Sequence, residues 1–163
     1  MHFRIEDVVL REATEKDIPT LLIFEQGVLS SERPFDPTIK SETTYYDLPF
    51  MIQSDHIRLT VAVWNDTIIS SGYARIEQSK HFLKYSQFVY LGFMFTLSEF
   101  RGHGINKLLI ENLKDWSRQK GVTEMRLEVY YDNLPAIKSY EKSGFSKLLI
   151  EMRHLLLNKI FVA

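Results

Sequence analysis

Apolar residues recur at Ile105, Leu108, Leu109, Leu113 and Trp116, the spacing of one face of a helix. Gly121 follows Lys120 and is the expected stop, with cations in the last turn as the helix dipole favours. Ahead of that helix, Phe88 to Leu97 is aromatic, β-branched and aliphatic, the pattern of a buried strand. Nearer the start, Val8 to Arg11 reads as a first strand. Asp17 is the expected N-cap of a first helix, because Pro19 belongs in a first turn. Ile18, Leu21, Leu22, Val28 and Leu29 form its apolar face. The run SSERPFDPTIK carries two prolines and breaks the pattern. A second helix is expected over Ile39–Gln53. Arg58–Trp64 and Thr67–Ile76 read as paired strands around an Asn65-Asp66 turn, and QSKHFLKYSQ as a loop. Glu124–Tyr130 is the next strand. Asp132 or Asn133 then caps a helix with Pro135 in its first turn and Gly144 at its close. Lys147–Leu157 is expected as a last strand. The order β-α-α-β-β-β-α-β-α-β implies an α/β fold with a mixed sheet, hairpins first and crossover helices later.

Length and composition narrow the class. A chain of 163 residues is long enough for a real core and is expected to form one domain over residues 1–163. Hydrophobic content of 45%, charged content of 25% and a net charge of −1 argue against a disordered tail or a basic nucleic-acid binder. No cysteine is present, so neither a disulfide framework nor a cysteine metal site is available. No apolar run approaches membrane-spanning length, and MHFRIEDVVL lacks a signal-peptide pattern. A soluble cytoplasmic protein is the expectation, without nucleic-acid or membrane partners. His2, His56, His81, His103 and His154 are scattered without metal-ligand spacing.

Between the strand and the helix lies Arg101-Gly102-His103-Gly104-Ile105-Asn106. Glycines let backbone N–H groups approach a ligand closely. A first helical turn adds orphan donors at the positive end of the dipole, and Arg101 can add a charge-assisted bond. Residues 101–107 therefore offer a diphosphate cradle; an ordinary loop before a surface helix is the alternative on the glycines alone. A Walker loop is absent. A dinucleotide fingerprint fails because Lys107 stands where its third glycine belongs.

What remains resembles the acyl-CoA loop of the GNAT superfamily of N-acetyltransferases, Arg/Gln-x-x-Gly-x-Gly/Ala. Arg101 and Gly104 match it, and Asn106 replaces the last Gly or Ala. A second stretch is similar to that family's helix: Asn133, Ala136, Tyr140, Gly144 and Phe145 fall at its positions without a gap. Together the two cover a resemblance over roughly residues 8–153. The resemblance implies a mixed central sheet with splayed strands and flanking helices, the strands near 88–97 and 124–130 parting around acetyl-CoA. It implies that the diphosphate rests on Arg101, Gly102, His103, Gly104, Ile105, Asn106 and Lys107. The backbone of Phe95, Thr96 and Leu97 would pair with the pantetheine, as an extended ligand adds to an open strand edge. Asn133 would bond the cofactor arm, act as a plain helix cap, or both. Tyr140 would place its hydroxyl near the sulfur as general acid; packing against the sheet is its alternative. Homodimers are among the assemblies implied. Three departures stand out: Ser98 replaces a common proline, residues 88–97 carry no Glu or Asp, and the tail after Phe145 is short.

An amine attacking a thioester must first lose a proton. Glu32, Asp36, Glu128 and a backbone-held water are the candidate bases, with Glu128 on a strand leading to the cleft. Glu32 and Asp36 flank Arg33-Pro34-Phe35, where Arg33 is expected to pair with either carboxylate, a substrate clamp being the alternative. Tyr45, Tyr46 and Asp47 line the same mouth or pack in the core. Glu32, Asp36, Asp47 and Asp55 give this region a carboxylate bias, which favours a cationic acceptor. The expected function is acetyl-CoA-dependent acetylation of a primary amine on a small molecule or peptide. The alternative is a non-catalytic acyl-CoA sensor of the same fold, suggested by Asn106 and the missing strand carboxylate. A nucleotide-binding protein of another class is disfavoured by the 133–145 match.

Overall fold

The computed structural model describes residues 2–156. Five strands form one sheet in the order β1-β2-β3-β4-β5: Val9–Glu12, Ile57–Trp64, Thr67–Gln78, Gln87–Thr96 and Met125–Arg126. The first four pair antiparallel as a meander. β5 joins β4 in parallel through only two register pairs, Val89↔Met125 and Tyr90↔Arg126. Past Tyr90 the two strands part, leaving one edge of β4 open. No helix among the described residues is long and apolar enough to cross a membrane.

Helices cover both faces. α1 (Ile18–Glu32) and α2 (Leu48–Gln53) bury Leu21, Phe24, Val28, Leu48 and Met51 against Leu59, Val61, Tyr73 and Phe93. α3 (Ile105–Gln119) buries Ile105, Leu109, Ile110 and Leu113 on the opposite face against Ala62, Ile69, Ala74 and Leu91. α4 (Leu134–Lys142) brings Tyr140 to that second core, together with Phe145.

A bulge in β4 shapes the open edge. The β3–β4 register shifts between Ser71 and Tyr73, and Phe93 opposite takes a positive φ of 53°. One inserted residue reverses the alternation. Tyr90, Phe93 and Phe95 therefore share the α1 face, while Leu91 and Met94 face α3. A left-handed residue other than glycine costs about 1–2 kcal/mol. Burial of the Phe93 ring against Tyr46 (4.4 Å between centroids) and a bond from the Ser71 hydroxyl to the Phe93 carbonyl (3.1 Å) hold it there.

Several expected elements differ. The helix expected over Ile39–Gln53 is only Leu48–Gln53, capped by Asp47, whose Oδ1 accepts the Phe50 N–H. Pro49 can sit only in a first turn, and Thr43, Thr44, Tyr45 and Tyr46 are weak helix formers. Asp17 is the N-cap residue of α1, as expected, but its side chain makes no cap bond to that helix. It closes a capping box with Thr14 around the short turn Glu15–Asp17. On α1, Leu22 is exposed, and Phe24 and Glu25 are buried instead. The strand expected over 124–130 pairs only at Met125–Arg126, because the splay removes its partner. Residues 147–156 form no strand, having no neighbouring strand to pair with among the described residues; Leu157 lies outside them.

The corner where β1 meets α1 carries a built-in acid sensitivity. Arg11 grips the buried Asp17 carboxylate with two bonds (2.7 and 2.9 Å), and the Thr14 N–H adds a third (2.7 Å). The Arg11 bond foremost, then the Thr14 bonds, hold the Asp17 carboxyl down at about 2 against the opposing effect of burial. A folded-state value below the unfolded one adds stability above about pH 4 that disappears as pH falls toward 2. With Arg11 partly exposed, about 1–2 kcal/mol is expected. Asp17→Asn should lose that amount at pH 7 and show a shallower acid limb in urea titrations between pH 4 and 2.

Candidate active site

The loop before α3 is open to solvent and takes its shape from two glycines. Gly102 and Gly104 have φ of +79° and +86°. A Cβ at either would meet nothing within 4 Å, so backbone conformation, not crowding, calls for glycine. Gly104 is the N-cap of α3, and no side chain caps the helix. Leu108 is the first residue to donate back along the helix, to the Gly104 carbonyl (3.1 Å). The N–H groups of Ile105, Asn106 and Lys107 thus stand at the positive end of a 15-residue helix without an intrahelical acceptor. That donor set fits an anionic phosphate.

Side chains around the loop divide. Ile105 is buried. Asn106 donates to Ser139 (3.2 Å) and ties α3 to α4. His103 turns back onto the Phe100 and Arg101 carbonyls and packs edge-on to Phe3. Arg101 and Lys107 remain exposed as cations. The Arg101 Nε donates to the Thr96 carbonyl (3.0 Å), and its guanidinium lies over Phe95.

The open edge of β4 is narrower than the three residues expected. The Leu97 N–H is taken by the Ile69 carbonyl (3.0 Å), and the Phe95 carbonyl accepts the Ser70 hydroxyl (2.5 Å). Both therefore face β3. Backbone groups alternate sides along a strand, so Thr96 is the residue whose backbone faces the splay. Asn133 caps α4, its Oδ1 accepting the Ala136 N–H (3.3 Å).

At the mouth, the residues just after α1 meet the residues behind β5. Phe35 stacks on Tyr130 at 5.8 Å. Glu32 is half-buried and accepts the Tyr45 hydroxyl (2.8 Å). Burial pushes the Glu32 carboxyl up, and the Tyr45 bond partly offsets this. The Tyr140 phenol is pushed up to about 12, by burial first and by the Glu32 charge second. Its hydroxyl keeps its proton and feels Glu32 across the mouth. Glu128 is exposed and accepts the Tyr90 hydroxyl at 3.3 Å.

Other expectations resolve differently. Arg33 pairs with neither carboxylate; it donates to the carbonyls of Lys40 and Ser41. Asp36 is bound instead by Arg153 (3.0 Å) and Thr38, which hold its carboxyl well below the usual range. Asp47 is spent as a helix cap. Tyr46 packs against Phe93, and Tyr45 alone of the pair reaches the mouth. Sequence reasoning missed Tyr90, Tyr130, Arg153 and Glu25. Glu25 had a signal: a lone carboxylate on the apolar face of α1, between Phe24 and Val28.

Comparison with known proteins gives a consistent result. The N-alpha-acetyltransferase 30 of Saccharomyces cerevisiae is 34% identical over 67 residues, 41% of this chain; the match spans only 38% of the yeast protein. A mutant protein of Bacillus halodurans superposes with a TM-score of 0.82 at 20% identity, covering 91% of this chain and 99% of its own. A predicted acetyltransferase of Clostridium acetobutylicum, solved with acetyl-CoA, gives 0.68 at 18% identity, covering 90% and 96%. These two structures share the fold. The profile of the GNAT acetyltransferase family, whose members use acetyl-CoA as co-substrate, matches residues 26–145. That span contains β2 to β5, the glycine loop and the helix bearing Tyr140, so the chain belongs to the GNAT acetyltransferase family.

Proposed function

We propose that the protein transfers the acetyl group of acetyl-CoA to the primary amine of a small molecule or peptide. The observation that carries this reading is the donor-rich loop 101–107 at the start of α3, beside the open edge that β4 presents where β5 leaves it. Acetyl-CoA supplies an activated thioester. Glu32 takes the proton that the acceptor ammonium must lose before its nitrogen attacks, and Glu128 is the second candidate for that step. Tyr140 donates a hydrogen bond to the departing sulfur. A free thiol, near 8.5, is a stronger acid than Tyr140 at about 12. The hydroxyl therefore acts chiefly by stabilising charge on sulfur, with proton transfer late. The Thr96 N–H offers the open backbone edge, its carbonyl being held by Arg101, and the N–H groups at residues 105–107 take the diphosphate.

Acceptors carrying a second positive charge are favoured. Arg153 neutralises Asp36 and Asp47 caps a helix. The carboxylates left at the mouth are Glu32 and Glu128, bordered by Tyr90 and Tyr130, a surface suited to cations. The yeast relative is by name an N-alpha-acetyltransferase, and an α-amine is a primary amine. Acceptor KM should rise with ionic strength while the KM for acetyl-CoA changes differently.

The pH profile tests the base. Glu32 works deprotonated, so kcat/KM for the acceptor should climb with pH through its raised value. Glu32→Gln should lower kcat by about 10²–10⁴ and flatten that acid limb. An acid limb unchanged in Glu32→Gln would assign the base to Glu128 or water.

A further inference from the structure

Glu25 lies on α1, wholly buried. Its Oε1 accepts the backbone N–H groups of both Tyr45 (2.6 Å) and Tyr46 (2.7 Å), while Oε2 is buried without a hydrogen-bond partner among the described residues. A buried carboxylate only half satisfied is costly. As a space-filler in this core, a leucine would serve better. What the carboxylate does is hold a segment that has no structure of its own. Residues 37–47 contain neither helix nor strand, and side chains of α1 and its end grip them: Gln26 bonds the Thr43 carbonyl and Arg33 those of Lys40 and Ser41. Glu25 is the buried member of that set. Glu32 stands two turns further along the same helix face. Tyr45 is thus held at its backbone by Glu25 and at its hydroxyl by Glu32.

We propose that Glu25 is a positioning residue of the acceptor mouth: by fixing the backbone of Tyr45 and Tyr46, it keeps the Tyr45 hydroxyl on Glu32 and so sets the geometry of the base. Its value for catalysis rests on the acetyltransferase reading; the positioning itself does not. The Tyr45 bond favours the charged form of Glu32. The other groups at this corner are Tyr46, Asp36 with its partner Arg153, Tyr130, Tyr140 and, beyond Tyr130, Glu128. Of these only Tyr46 is bonded to Glu25, through its backbone N–H.

Opposite signs make the test decisive. Removing the charge of Glu25, about 10.5 Å along the helix from Glu32, can only lower the Glu32 titration midpoint or leave it unchanged. Releasing Tyr45 raises it. The experiment is a carboxyl-carbon NMR titration of glutamate-labelled protein without ligands, with Glu32 assigned through Glu32→Gln. Glu25→Leu deletes the acceptor and should move the Glu32 midpoint upward, as Tyr45→Phe should. The double variant should move it no further than either alone. Glu25→Gln retains an acceptor oxygen and should leave the midpoint at or below the wild-type value. If Glu25→Leu fails to fold, Glu25→Asp, which withdraws the acceptor by one methylene, should also move it upward. A midpoint that stays or falls in folded Glu25→Leu or Glu25→Asp overturns the proposal. The titration needs neither acetyl-CoA nor an amine, so absent turnover would count against the acetyltransferase reading and leave this one standing.

Discussion

Tyr140→Phe should lower kcat by about 10²–10³, the usual cost of deleting one donor to developing charge, while acetyl-CoA binding stays nearly unchanged. The ring is part of the second core and lies edge-on to Phe145 at 6.0 Å. Phenylalanine preserves that packing and removes only the oxygen. Among the described residues the hydroxyl makes no hydrogen bond whose loss would confuse the result. Burial and the nearby Glu32 charge keep it protonated, so it is available as a donor across the working pH range. Single-turnover measurement of thiol release separates chemistry from product release. A variant with near-full kcat, when chemistry limits the rate, would reduce Tyr140 to a packing residue.

Gly104→Val should weaken acetyl-CoA binding tenfold or more while the protein still folds. At φ of +86° a β-branched residue is strained, by about 1–2 kcal/mol or somewhat more. The backbone relieves that strain by turning, which moves the N–H groups of residues 105–107 out of line; 1.4 kcal/mol already corresponds to tenfold in Kd. Gly121→Val is the matched control. Gly121 has φ of +75°, and a Cβ there likewise meets nothing within 4 Å. It closes the far end of α3. Both variants should lose similar stability, and only Gly104→Val should lose affinity by calorimetry. Equal acetyl-CoA affinity in both would place the diphosphate away from this loop.

What the sequence made legible was local. The β4–loop–α3 unit is encoded by a continuous apolar run, two glycines and a 3.6-residue period, all within 35 residues of one another. α4 carries its cap, Pro135 and Gly144 in plain view. The expected start of α2 at Ile39 is too early, although Pro49, which belongs in a first turn, marks the true one. The splay was not readable from residue types, because it consists of hydrogen bonds that β4 and β5 do not make beyond Tyr90; only the family resemblance pointed to it. The site's partnerships were equally hidden. Tyr45 meets Glu32 across 13 residues and Arg153 meets Asp36 across 117, contacts that exist only after the sheet brings those segments together. Arg33 shows the converse: two carboxylates flank it in sequence, yet its guanidinium turns to backbone carbonyls. Proximity along the chain suggested an ion pair that the fold does not use.

Acetyl transfer to an amine is tested most directly by incubating the purified protein with acetyl-CoA and a panel of cationic, neutral and anionic primary amines, peptide N-termini included. Free thiol and acetylated amine are followed together, the latter by mass spectrometry. The account predicts thiol release that depends on the amine, matches the acetylated product mole for mole, favours cationic acceptors and falls in Tyr140→Phe. Tight acetyl-CoA binding with no amine-dependent thiol release across the panel would contradict it and assign the fold to acyl-CoA sensing.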